Sequence, residues 1–249
     1  MSHAILFFVY NQTEAQLQLT KNALRSVYAQ DIGDLKVWIV NNGSNAETVS
    51  WLNSLPSDCP SNAVIHGFHY AKNISPVLLI NKYLSEIFRT AEYVLCVPND
   101  VVLPPNLYTE MLRWDQGIVA AGMHGSNPPV VMATEEISRI HGDVHVSVPL
   151  VRRWAFNAVV EHYGFFHDPR YFCYCSDCDL KLRLAELKVS TAQLDILCWH
   201  FESASIRLAP EYIAQDQHRK AGIDRAYFEL KWGFAVGSPQ YERVIRELK

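Results

Sequence analysis

The sequence contains no apolar run long enough to cross a bilayer. A membrane helix needs roughly 20 such residues, and the opening "MSHAILFFVYN" stops at Asn11 after about six. The same stretch is short for a secretory leader, so the expectation is a cytosolic protein. There is no basic excess either: the net charge is -4 and the pI about 6.2. That disfavours a protein held on nucleic acid by bulk electrostatics and leaves only a local groove for such a role. No low-complexity tail, linker or fixed-period repeat interrupts the chain, which argues against a disordered protein or a repeat array. The six cysteines imply no disulfide framework, and in a reducing compartment they read as free thiols, packing residues or metal ligands. Of these, Cys59, Cys96 and Cys198 are scattered, and the last two lie in strand-like runs as small hydrophobes.

What is present suits one compact α/β domain. The chain has 249 residues, 49% hydrophobic and 19% charged, enough for a full core. "AILFFVY" and "LKVWIV" read as strands, with a helix-spaced segment (Leu17, Ala23, Leu24, Val27) between them. "AVIHGFHY" reads as a third strand, "SPVLLINKYLSEIFRTA" as a helix with Pro76 in its first turn, and "EYVLCV" as a strand buried on both faces. This alternation predicts a mostly parallel sheet with ligands gathered at the carboxyl ends of its strands. Residues 115–150 read as sheet continuation and loops, "RRWAFNAVVEHY" as a helix, "DILCWHF" as the last strand, and the chain beyond Pro210 as two or three polar helices.

The stretch "FCYCSDCDLKLRL" (172–184) packs three cysteines and two aspartates into seven positions. Its C-x-C-x-x-C spacing (Cys173, Cys175, Cys178) suits a zinc knuckle with Cys198 or His167 as fourth ligand. The rival reading is an acidic catalytic turn in which "YFCYC" is strand-like, the cysteines are packing residues, and a helix starts at Asp177. Two further positions stand out by place: Asp100 follows the fourth strand in "PNDVV", and His200 ends the last one. Singly, each aspartate is explained as a turn or cap residue and the histidine as a packed ring. His141 and His145 read as ordinary strand histidines, and Arg152 and Arg153 as a solvated helix start of which one residue could face a diphosphate.

The order of these pieces resembles the family 2 glycosyltransferases of the GT-A type over nearly the whole chain. "WIVNNGSNAET" is similar to the family's nucleotide turn, "NISPVLLIN" to its helix start, "PNDVV" to its metal turn, "FCYCSDCDL" to its acidic turn, and "CWHFESAS" to its histidine segment; "DRAYFELKWG" is also familiar. The resemblance implies a GT-A-like single domain, with a nucleotide-sugar-binding half (1–103), an acceptor and catalytic half (104–209), and a helical extension (210–249) packed on it. It implies a hexosyltransferase-type enzyme that moves a sugar from a nucleoside-diphosphate donor, UDP-linked by first choice, to a saccharide or glycoconjugate hydroxyl with inversion. Asp177 would be the base, with Asp179 as a second acid or a turn support; Asp100 and His200 would hold Mn²⁺ or Mg²⁺. Tyr10, Asn11, Asn41, Asn42, Gly43, Ser44, Asn73, Asn99 and Asp100 would bind the donor. The chain departs from the family at Asn41 and Ser176, which replace acidic residues, and at Ser75 and Lys82, where glycines are frequent. Two alternatives follow: transfer to a hydroxylated base of nucleic acid through a groove from Arg207, Arg219, Lys220 and Arg225, or a nucleotide-binding module without catalysis.

Overall fold

The computed structural model describes residues 2–31, 33, 35–58, 63–124, 148–201 and 204–247. Cys59, His141 and His145, with most of the β-like pieces expected between 125 and 147, lie outside the described residues. The chain begins with β1 (His3–Val9), α1 (Glu14–Tyr28), β2 (Leu35–Asn42), α2 (Ala46–Asp58), β3 (Ala63–Tyr70), α3 (Pro76–Ile87) and β4 (Tyr93–Pro98). It continues through β5 (Val101–Val102), α4 (Leu107–Leu112), β6 (Ile118–His124), β7 (Pro149–Arg152), α5 (Arg153–Tyr163) and α6 (Ser176–Glu186). The last elements are β8 (Thr191–His200), α7 (Ala204–Arg207), α8 (Glu211–Trp232) and α9 (Pro239–Glu247).

The strands form one sheet in the order β3-β2-β1-β4-β7-β6-β8-β5. β1 pairs in parallel with both β2 and β4, and β3 with β2, whereas β7 runs antiparallel to β4 and β6, and β5 antiparallel to β8. Alternation along β1 shows why both faces must be covered. Ile5, Phe7 and Val9 join a cluster with Ala23, Leu24 and Val27 of α1, while Ala4 and Leu6 join a second one with Leu79, Tyr83 and Leu84 of α3. The result is a sheet between two helical layers.

Local chemistry starts the helices where the topology needs them. Thr13 and Gln16 form a reciprocal capping box at the start of α1, and Ser75 caps α3 with Pro76 at its first position. A third cluster binds the C-terminal helices to the rest: Phe228 of α8 and Tyr241 and Ile245 of α9 pack with Val77, Tyr171 and Leu182.

Three expectations are corrected. "YFCYC" is a succession of turns, not a strand, because its backbone N–H groups bond a side-chain carboxylate and no neighbouring strand. Arg152 is not solvated and does not face the ligand end of the sheet: it stacks on Tyr93 at 4.9 Å and donates to the Tyr93 hydroxyl at 3.0 Å, beside the amino end of β4. Arg153 is held at that same end by Ala91 O and Glu92. Finally, Cys198 is buried as expected, whereas Cys96 is only partly so.

Candidate active site

The strand order reverses between β1 and β4, and in open parallel sheets ligands settle outside the strand ends at such a point. Polar side chains tie those two ends together. Asn99 Nδ2 donates to Asn11 Oδ1 at 2.9 Å and to Thr20 Oγ1 at 2.8 Å, and Thr20 Oγ1 lies 3.0 Å from the same Asn11 oxygen. Asn11 is fully buried, and its backbone N–H donates to Ser44 Oγ at 3.0 Å. The β1 and β2 turns are thereby locked to each other.

The turn after β2 is built around close backbone approach. Gly43 has φ +81, and a Cβ there would meet Asn73 N at 2.4 Å, so glycine alone fits. Asn42 acts as a clamp, donating to Asn73 Oδ1 at 2.8 Å and Ile74 O at 2.9 Å while accepting from Ile74 N at 2.9 Å. Asn41 is buried, with Oδ1 accepting from Ser44 N at 3.1 Å and Nδ2 3.3 Å from His69 Nδ1. Its amide is thus engaged in shaping the turn. Burial raises the pKa of the Tyr10 hydroxyl; a hydrogen bond with Asn73 opposes this, and Tyr212 and Asp216 of α8 add to it.

Asp100 and His200 meet through strand pairing. Val101 is registered with His200, Phe201 N donates to Asp100 O at 3.0 Å, and His200 Nε2 lies 3.5 Å from Asp100 Oδ2. Both side chains are partly open, at 25% and 15% exposure, which suits a pair able to accept a ligand. Among the described residues no three His, Cys, Asp or Glu side chains gather as a metal site. Carboxylate oxygen and imidazole nitrogen nevertheless form a donor set that fits a divalent cation sharing its remaining positions with phosphate oxygens.

The acidic turn presents its two aspartates differently. Asp177, in the first turn of α6, is partly exposed at a helix end that favours an anion. Asp179 is fully buried and bonded to Arg183 Nε at 2.7 Å, Lys231 Nζ at 2.6 Å and Trp232 Nε1 at 2.9 Å. It braces α6 against α8 and is closed to solvent. Cys173 is solvent-exposed, yet crowding around its sulfur, then the carboxylates of Asp177, Asp224 and Asp100, push the thiol up to about 12. Burial likewise raises Cys175, to about 11, and Cys178.

Sequence reasoning missed several residues that shape this region. Ser75, read as a lost glycine, caps α3 and donates to Phe172 O at 2.7 Å. Lys82, the other departure, donates to the Tyr70 hydroxyl at 3.0 Å. Asp168 is fully buried; burial works against its charge, yet hydrogen bonds from Arg170 and Lys231 hold its carboxyl well below the usual range. Asp224 accepts from the backbone of the acidic turn. Among the basic residues of the expected groove, Arg219 and Lys220 both pair with Asp216, at 2.8 and 2.6 Å, and Arg207 lies over Phe201.

No protein-family model and no curated protein matches the chain. Solved structures do. Staphylococcus aureus TarS 1-349 in complex with UDP superposes with TM-score 0.60 at 13% identity, over 100% of this chain and 70% of that one. The same TarS fragment in complex with UDP-GlcNAc gives 0.55 at 14% identity, over 100% and 79%. The mannosyltransferase PcManGT from Pyrobaculum calidifontis, in complex with GDP-Man and Mn²⁺, gives 0.59 at 14% identity, over 98% and 68%. Against longer TarS the chain spans 44% of the neighbour's length. The likeness shows the fold: a mixed α/β, mostly parallel sheet with flanking helices, of the GT-A type.

Proposed function

We propose that the protein is a metal-dependent inverting glycosyltransferase that moves a sugar from a nucleoside diphosphate, UDP by preference, to a saccharide or glycoconjugate hydroxyl. The observation that carries this reading is the meeting of Asp100 and His200 beside the Asn11–Asn99 lock at the strand-order reversal. The fold shared with enzymes solved with UDP, UDP-GlcNAc and GDP-Man supports it.

In this reading Tyr10, Asn11, Asn73 and the turn Asn41-Asn42-Gly43-Ser44 enclose the base and ribose, and Asn99 and Asp100 border the diphosphate. Asp100 and His200 would hold Mn²⁺ or Mg²⁺, which when bound supplies positive charge against the departing diphosphate. Asp177 takes the proton from the attacking hydroxyl, and a single base with direct displacement inverts the anomeric centre. Asp179 is assigned to support. Residues 1–103 and 104–209 supply the donor and acceptor walls, and 210–249 belong to the same domain. No described helix is long and apolar enough to cross a membrane.

The test is binding of UDP, GDP, dTDP and CDP and their sugars with Mn²⁺, with Mg²⁺ and with chelator, followed by transfer to saccharide acceptors. Metal-dependent binding of one nucleotide and an inverted product are expected. Binding without turnover over a broad acceptor panel would support the nucleotide-binding module instead.

A further inference from the structure

We propose that Asp224, on α8 and outside the acidic motif, is a positioning residue for Asp177, an inference that rests on the function proposed above. Asp224 is 1% exposed and cannot itself touch a substrate. Its Oδ1 accepts from Phe172 N at 2.8 Å, and its Oδ2 from Cys173 N at 2.9 Å and Tyr174 N at 2.8 Å. Three consecutive N–H groups converge on one point only when the backbone curls into a concave nest, and a carboxylate is the side chain that satisfies all three. Immediately afterwards Cys175 takes φ 59 and turns the chain into α6, with Asp177 as its second residue.

Other bonds to this turn leave the same task to Asp224. Ser75 Oγ donates to Phe172 O, and Ser176 Oγ donates to Cys173 O at 2.9 Å, so both hold carbonyls. Among the described residues, Asp224 is the acceptor for all three N–H groups. α8 is held by further contacts besides this one, through Phe228 in the third core cluster and Lys231 on Asp168 and Asp179, and so provides a base for that grip. The proposed donor residues, in contrast, lie at the ends of β1, β2 and β4 and in the 71–74 loop, where α8 reaches Tyr10 through Tyr212 and Asp216. Asp224 therefore acts on the base and not on donor affinity.

Asp224→Asn keeps the shape and one acceptor oxygen but turns a donor N–H₂ toward the backbone N–H groups. With the 249-residue chain and Mn²⁺, UDP release from UDP-glucose and UDP-GlcNAc should slow about 10- to 100-fold, the order expected for a displaced catalytic group. The Kd for UDP should stay within about twofold, and amide exchange at residues 172–174 should quicken. Asp224→Glu, which keeps the charge but shifts the carboxylate by one methylene, carries the same test if the Asn variant fails to fold: a lower kcat at unchanged UDP affinity. A wild-type rate in the folded variant overturns the inference alone, as does a loss of UDP affinity equal to the loss of rate. A wild-type protein that neither binds UDP nor releases it from either sugar overturns the proposed function, and the inference with it.

Discussion

Asp100 and Asp177 carry the same functional group and are assigned different steps, so they separate in kinetics. Asp100 lies against His200 and is assigned to the metal and diphosphate; Asp177 stands partly exposed at the start of α6. Asp100→Ala should abolish the metal-dependent part of donor binding measured by calorimetry. Asp177→Asn should leave donor Kd within about twofold and lower kcat by about 10²- to 10⁴-fold, because a general base matters only where the proton moves. Equal loss of binding in both variants would refute this division. A third residue sets a pH dependence of stability. His167 is buried, and desolvation followed by the charge of Arg183 pushes its pKa down to about 4. The unfolded chain, with a pKa near 6.5, therefore binds more protons between the two values. Stability is full above about 6.5, falls as the pH drops toward 4, and loses roughly 3 kcal/mol across that window. His167→Gln should flatten the slope in urea titrations between about pH 6.5 and 4.5; an unchanged slope would assign it elsewhere.

At the scale of one element, α6 shows how two aspartates two residues apart acquire different fates. Helical geometry turns them about 200° from each other, so one can face the cleft while the other enters the core. Asp179 and Arg183, at i and i+4, are both fully buried. Removing one charge of such a pair strands the other, at a typical cost of about 3–5 kcal/mol, whereas an exposed Asp→Asn change stays within about 0.5 kcal/mol. Asp179→Asn should thus unfold in far less denaturant than wild type, and Asp177→Asn at almost the same concentration. The sequence showed that a helix begins here. Which aspartate enters the core was not legible, because the groups that satisfy the buried pair come from distant segments: Phe166 O accepts from Arg183, and Lys231 and Trp232 donate to Asp179. Strand ends were easier to read: Pro98 stops β4 locally, so the place of Asn99 and Asp100 follows from neighbouring residues alone.

Across the whole molecule, the same contrast separates the parts of the candidate site whose placement follows from local pattern from those whose placement does not. Asn11, the Asn41–Ser44 turn and Asp100 follow from the alternation of strands and helices, a short-range pattern. The supports of the acidic turn come from α8, more than 50 positions away in sequence for Asp224 to Phe172, and carry no local signal. This makes the C-terminal helices part of the fold's stability as well as of the proposed catalysis. Ending the chain at residue 209 would uncover Tyr171 and Leu182, each now buried, with a loss of about 1.5–3 kcal/mol for each large apolar side chain. It would also remove Lys231 from Asp168 and Asp179, and Asp224 from three backbone donors. Asp168 would keep Arg170 and Asp179 would keep Arg183, but three backbone donors left without an acceptor cost about 1–3 kcal/mol each, and a domain has only about 5–15 kcal/mol to lose. The 1–209 fragment should therefore show no cooperative thermal transition by circular dichroism, whereas the full chain should unfold in one step followed alike by fluorescence and circular dichroism. A fragment that melts cooperatively within a few degrees of the full chain would make α8 and α9 an appended unit, and the grip of Asp224 on the acidic turn dispensable for folding.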